Sequence, residues 1–325
     1  MKLREIFRYE VEHRVRSAST WIYAVFLFLI AFAMIHIDAD GNSPTHVNAA
    51  SRLALLAIMA GLVGLLISAA FFGDAALRDH ESRMDPLVFT SPIRKIDYLG
   101  GRFLGALTIN AIILLAVPIG HAVATMMPYL ARQAFGPFVF GAFAQTYLLF
   151  LLPNLVLTGA VLFAVAALTR HAVSVYVAAI ALFVGYVIAV NLPAFDAVMN
   201  LLTDPLGVRV LNSVTERWTP VEKNARLLAS SGTVLLNRAV WLAIAAAVLA
   251  MLHRAFRFAH AGERSAVLRR TPPATLSTSP IIRTTGNNVA TRGDFGARTA
   301  LACKVGAACV ITLMLLTTGG LFCGR

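Results

Sequence analysis

Residues 53–72 read LALLAIMAGLVGLLISAAFF, twenty positions without a charge, a proline or an amide side chain. At about 1.5 Å of rise per residue a helix of that length is ~30 Å long, the thickness of a bilayer's hydrocarbon core. In lipid the backbone has to satisfy its own hydrogen bonds, so such a segment is helical. Ala57, Gly61 and Gly64 along it are small enough to let a neighbouring helix come close. Arg52 stands immediately before the run, and Asp74, Arg78, Asp79, Glu81 and Arg83 follow it.

Outward from this span, five more stretches have the same character: 20–37, 104–126, 146–168, 172–190 and 233–252. Asn237 and Arg238 interrupt the first turn of the last one, which places them at the membrane interface with Trp241 just inside. The composition agrees. Hydrophobic residues make up 58% of the 325-residue chain and charged residues 14%, too few to cover a soluble domain of that size. The alternating polar positions of a membrane barrel are missing. The expected fold is all-α, a polytopic membrane helical bundle with six spans over 18–254.

Basic residues set the expected orientation. Lys2, Arg4, Arg8, Arg14 and Arg16 precede the first span; Arg78, Arg83, Arg94, Lys95 and Arg102 lie in the 73–102 connection; Arg170 sits in the next tight turn. Arg254, Arg257, Arg264, Arg269 and Arg270 follow the sixth span, whereas the short opposite loops hold only Arg52 and Arg132. The N-terminus is therefore read as cytoplasmic and the 191–232 segment as an extracytoplasmic cap. The net charge of +12 is mostly topology and attraction to anionic lipid. It is spread over several loops without a binding motif, which argues against a nucleic-acid partner.

No cleavable signal peptide is evident, because the first apolar run is long and a helix-forming segment precedes it. In residues 1–17, Leu3, Phe7, Val11 and Val15 recur at spacing four with Ile6 beside them, and Glu10–Arg14 and Glu12–Arg16 are i,i+4 pairs. The pattern predicts an amphipathic helix in the headgroup plane. At the other end, 255–300 is rich in Pro, Thr, Ser, Gly and Arg and reads as a disordered cytoplasmic linker. The apolar run 305–322 follows, with Cys303, Cys309 and Cys323 in or beside it at spacings that fit no metal or redox site. Two readings of residues 301–325 stand side by side: a seventh span, or a tail of different origin produced by truncation or an altered reading frame.

Enzyme signatures are absent. His80-Glu81-Ser82-Arg83-Met84 starts like a zinc-protease helix, but Met84 stands where the second histidine belongs. With no nucleophile elbow and no phosphate-binding loop, the chain cannot hydrolyse ATP alone. No metal site is expected. Within the spans, Asn110 and His121 lie eleven residues apart on nearly one helix face, with Pro118 between them as a kink; Asn154 and Thr158 share a face beside Pro153. Such residues are costly in lipid. They suit interhelical hydrogen bonding in a packed bundle or a substrate path. The first is favoured, because no Asp, Glu or Lys lies deep in the first five spans.

The 73–102 connection is the most specific segment. It runs through Asp85-Pro86-Leu87-Val88-Phe89-Thr90-Ser91-Pro92 to Tyr98-Leu99-Gly100-Gly101-Arg102. This resembles the ABC-2-type permeases, the membrane subunits of one large class of ABC transporters. Their pattern of acidic residue, leucine-rich stretch, Thr-x-Pro and Gly-Arg is met at Glu81, Leu87, Thr90, Pro92 and Gly101-Arg102. The resemblance implies an amphipathic N-terminal helix, six spans, and an ATPase-coupling role for Glu81, Arg83, Thr90 and Pro92. It also implies a dimer of permease halves in a bacterial inner membrane, in contact with lipid. A separate ABC ATPase would hold the ATP and Mg, with no cofactor in this chain. Asp204-Pro205-Leu206-Gly207, Trp218-Thr219-Pro220-Val221-Glu222-Lys223-Asn224 and Asn237-Arg238-Ala239-Val240-Trp241 look like the branch whose permease precedes a zinc aminopeptidase-like domain. Trp218, Glu222 and Asn224 of the cap fit either an exit or partner surface, or interfacial anchors and local helix caps. An ATP-independent transporter or channel, and a truncated, non-functional membrane protein, are the alternatives to an exporter subunit.

Overall fold

The computed structural model describes residues 2–39, 43–82, 84, 92–191, 204–228 and 231–256, and every regular element among them is helical. In chain order these are α1 (Lys2–Val15), α2 (Ala18–Asp38), α3 (Ala50–Glu81), α4 (Lys95–Leu114), α5 (Ala116–Thr125), α6 (Phe140–Thr146), α7 (Leu152–Thr169), α8 (Ala172–Asn191), α9 (Val208–Thr215), α10 (Pro220–Ala225) and α11 (Gly232–Ala255). The sequence readings for Arg83, Thr90, the linker beyond Phe256 and the 301–325 tail lie outside the described residues.

Five helical rods are long and apolar enough to cross a membrane: Ala18–Asp38, Ala50–Glu81, Lys95–Thr125, Phe140–Thr169 and Gly232–Ala255. The expected span at 172–190 corresponds to α8, whose apolar stretch Ala172–Ile188 is shorter. Two rods begin before the apolar windows that the sequence marks. Lys95–Thr125 opens nine residues before 104, and Phe140–Thr169 opens six before 146. In both cases a polar or aromatic first turn continues the helix beyond the apolar window. The 53–72 run is the middle of α3, whose 32 residues make it about 48 Å long. Its last two turns, with Asp74, Arg78 and Asp79, therefore project beyond a hydrocarbon layer of ~30 Å.

Two rods are broken where proline demands it. Pro118 has no N–H for the carbonyl four residues back, and the helix divides at Leu115 between α4 and α5. Ahead of Pro153, residues Tyr147–Leu151 form a wide turn between α6 and α7, closed by the Leu152 amide on the Tyr147 carbonyl. The Tyr147 hydroxyl donates to the Ala111 carbonyl at 2.8 Å, which fastens this turn to α4. α7 ends on Arg170 in the left-handed region (φ 56°), and the chain turns directly into α8. The core is aromatic at its centre: Phe72 of α3 stacks on Phe103 of α4, which meets Phe163 of α7 edge-on, each pair 5.5 Å apart.

α1 lies against α4, and small residues are the reason. A Cβ at Gly105 would fall 2.6 Å from the Glu10 Cβ, and one at Gly101 2.8 Å from the Ile6 Cγ2. Leu3, Ile6, Phe7 and Val11 are half-buried as the stripe predicts, but Val15 is 41% exposed. The centre of the buried face is Glu10, with Arg14 beside it. Glu12 pairs with Arg8 at 2.7 Å. Gly105→Ala is expected to lift α1 from α4 at a cost of about 1–3 kcal/mol. Limited proteolysis in detergent should then cut within 2–16 faster than in the parent, while an alanine at Gly232, where an added Cβ meets open space, should leave the rate unchanged.

Candidate functional site

Where α1, the end of α3 and the start of α4 meet, three carboxylates and three guanidiniums form one network. Glu10 has no exposed surface. Its Oε1 accepts from Arg14 Nε at 3.2 Å and Arg78 Nη2 at 2.9 Å, and its Oε2 from Arg78 Nη1 at 3.0 Å and Arg102 Nη1 at 3.3 Å. Asp74 accepts from Arg78 at 2.6 Å and from Arg14. Asp79 accepts from Arg102 and, at 2.9 Å, from the Tyr98 hydroxyl. Arg14 also donates to the Phe71 carbonyl at 3.0 Å and lies 4.8 Å over the Phe71 ring.

A buried ion is stable only when paired and hydrogen-bonded. Here the formal charges cancel across the six groups, and each carboxylate accepts from at least two donors. Partial burial, then Arg78 and Arg14, lower the pKa of His13 at the edge of the network. The network ties α1, α3 and α4 to one another at this end.

Two of the four predicted coupling residues are visible at the same end. Glu81 is the last residue of α3 and is exposed, two positions beyond Asp79. Pro92 is exposed, and its carbonyl accepts from the Lys2 ammonium of α1. The Lys95 Nζ donates to the His253 carbonyl at 2.7 Å, and Tyr98 stacks on Phe256, so the start of α4 also holds the end of α11. The sequence reading paired Glu10 with Arg14 but left both on a helix surface. The missed signal was the second i,i+4 pair, Asp74–Arg78, together with Arg102 set between two glycines that admit a helix.

At the opposite end the cap residues hold the cap's own turns and its attachment to the bundle. Buried Asp204 accepts from the Gly207 amide at 2.8 Å and the Val210 amide at 3.0 Å, capping α9. Glu222 and Thr219 form a reciprocal capping box on α10. Asn224 accepts from the His46 amide at 2.8 Å, holding α10 to the α2–α3 connection. Trp218 is half-buried under Arg226, 5.8 Å from its guanidinium.

Asn154 of α7 bridges this cap to α11. It donates to the Leu206 carbonyl at 3.1 Å and accepts from Arg238 at 2.7 Å. Arg238, 4% exposed, donates also to the Leu206 carbonyl and to Asn237. Gly207 makes the arrangement fit: its φ is +94°, and a Cβ there would lie 2.6 Å from Arg238 Nη2. Asn110 is buried and spends its amide on the Ala106 carbonyl one turn back. His121 is 1% exposed, and neither ring nitrogen finds a partner among the described residues. Neither joins Asn154 at a common site. Among the described residues no group of His, Cys, Asp and Glu could hold a metal ion.

A family model described as ABC-2 family transporter protein matches residues 4–256, from the first turn of α1 to the end of α11. The chain belongs to the ABC-2 transporter family. A search of the curated proteins finds no match. The family match carries nothing specific to the aminopeptidase-fused branch. Permeases of the ABC-2 family are typically non-catalytic membrane subunits and generally pair with an ABC ATPase. This ABC-2 permease is accordingly a multi-pass membrane protein, and its network of six charges sits where α3 and α4 flank the 82–94 connection.

Proposed function

We propose that this permease is the membrane subunit of an ATP-driven exporter in a bacterial inner membrane, with its N-terminus cytoplasmic. A separate ABC ATPase, carrying the ATP and Mg, docks on the connection between α3 and α4. Six crossings, α8 included, build each permease half, and two halves face each other across the pathway. Closure of the ATPase pushes on Glu81, Arg83, Thr90 and Pro92 and tilts α3 and α4 together. The observation that carries this reading is the buried network: a push at the tip of α3 reaches α4 and α1 through Glu10, Arg78 and Arg102 without slack. The narrower aminopeptidase-fused branch rests on the outer-loop motifs alone.

Co-purification tests the docking step. The double charge reversal Glu81→Arg with Arg83→Glu is expected to reduce recovered ATPase about tenfold, equivalent to ~1.4 kcal/mol of association. Undiminished recovery, or substrate flux in liposomes that lack any ATPase, overturns the reading. A reporter fused beside Arg94 and Lys95 should report the cytoplasmic side.

A further inference from the structure

Where the start of α4 meets the end of α11, the Lys95 Nζ holds the His253 carbonyl at 2.7 Å. The Lys2 ammonium of α1 reaches the same segment, on the Pro92 carbonyl. Arg94 lies between these two anchors and Arg254 follows His253; both arginines are exposed. Four cations thus gather around 92–95. The two ammonium groups bond to neutral oxygens, and no carboxylate lies within ion-pair distance of any of the four among the described residues.

The carboxylates at this end do not cancel them. Asp79 is spent on Arg102 and the Tyr98 hydroxyl, inside the neutral network. Outside it, Glu5, Asp97 and Glu81 stand against Lys2, Arg4, Arg94, Lys95 and Arg254, so the surface stays positive. Beside the cations are bare apolar side chains: Ile96 is 60% exposed and Met251 61%. The 24 residues of α11 span about 36 Å, slightly more than a hydrocarbon core of ~30 Å. Its last turn, and the Lys95 anchored to it, therefore lie in the headgroup layer.

We infer that the seam between α4 and α11 binds an anionic phospholipid, its headgroup phosphate on Arg94 and Arg254 and its chains against Ile96 and Met251. At a membrane surface each Lys or Arg adds attraction for anionic lipid. The guanidinium fork fits phosphate oxygens, and both forks are unspent. Lys2 and Lys95 are committed to carbonyls and position the segment. A zwitterionic lipid offers the same phosphate, but its own cation is repelled by the surplus. The inference concerns lipid binding and stands whether or not the chain exports anything.

The test uses the full chain with Trp21→Phe, Trp218→Phe and Trp241→Phe, and with Ile96→Trp as the sole indole, in nanodiscs of phosphatidylcholine. Brominated phosphatidylglycerol should quench the new indole saturably at low mole fraction. Brominated phosphatidylcholine should quench only in proportion to its share of the bilayer. Arg94→Gln with Arg254→Gln should bring the two lipids level, a loss of about tenfold in preference, or ~1.4 kcal/mol. Arg132→Gln, exposed in the loop between α5 and α6, should leave the preference unchanged. Native mass spectrometry of the parent with its own tryptophans gives a second reading: phosphatidylglycerol retained over phosphatidylcholine, and lost in the double variant. Equal quenching by the two lipids overturns the proposal. So does a preference that survives the double substitution, including the case where the variant loses co-purified ATPase instead, which would make the patch a protein contact.

Discussion

Glu10→Leu is expected to destabilise the protein by about 3–5 kcal/mol, the range for removing one member of a buried ion cluster. The substitution leaves three guanidiniums facing two carboxylates around a fully buried position. Arg78 and Arg102 each lose hydrogen bonds to Glu10, and Arg14 loses its partner one turn back. Leucine cannot recover this by packing, because the site is walled by guanidinium groups. Glu10→Gln keeps the shape and part of the hydrogen bonding, so its loss should be clearly smaller. Thermal unfolding in detergent, followed by circular dichroism, ranks the two variants against the parent. Equal midpoints for Glu10→Leu and the parent would show that the network does not hold α1. In the transport reading the same substitution frees α1 from α3 and α4, so ATP turnover by the reconstituted complex should persist while substrate movement falls.

Gly207→Val should cost about 2–5 kcal/mol. Left-handed backbone is worth roughly 1–2 kcal/mol against an ordinary residue, and most against a β-branched one. Overpacking adds about 1–3 kcal/mol, because the new Cβ enters the space of the Arg238 guanidinium and the Phe150 ring. Arg238 must then leave the Leu206 carbonyl or Asn154, so the cap separates from α7 and α11. Trp241 lies one turn beyond Arg238 and reports this as a shift in its emission. Gly207→Ala should show a weaker form of both effects. A valine variant with the parent's melting midpoint and emission would mean that the cap does not depend on this turn.

The rods were legible because their physics is local. A run such as 53–72 has only one way to survive in lipid, and Pro118 and Pro153 announce where the rods break. Arg238 and Asn237 were visible as an anomaly in the first turn of the last span, but their partners were not: Asp204 and Leu206 come from a loop more than thirty residues earlier, and Asn154 from another helix. The i,i+4 rule found Glu10–Arg14 correctly as a pair. It could not show that this face turns inward, because burial of a charge depends on what three separate segments bring to one point. The apolar stripe on α1 pointed Val15 inward, and the structure turns that position out. Capping by Glu222 was within reach, since Thr219-Pro220-Val221-Glu222 is a capping sequence.

The seat of α1 has a consequence for biogenesis. Glu10 emerges from the ribosome early, yet Arg102, its most distant partner, follows 92 residues later. At about 5–20 residues per second, the N-terminal segment waits roughly 5–20 s before its berth is complete. Asp74 and Arg78 come earlier, 60 residues after Arg14 and 68 after Glu10; before them Glu10 and Arg14 have only each other, water and headgroups. The first part of the polypeptide to be synthesised therefore settles only after two later rods have begun to form, and its docking certifies that the third membrane rod has been threaded.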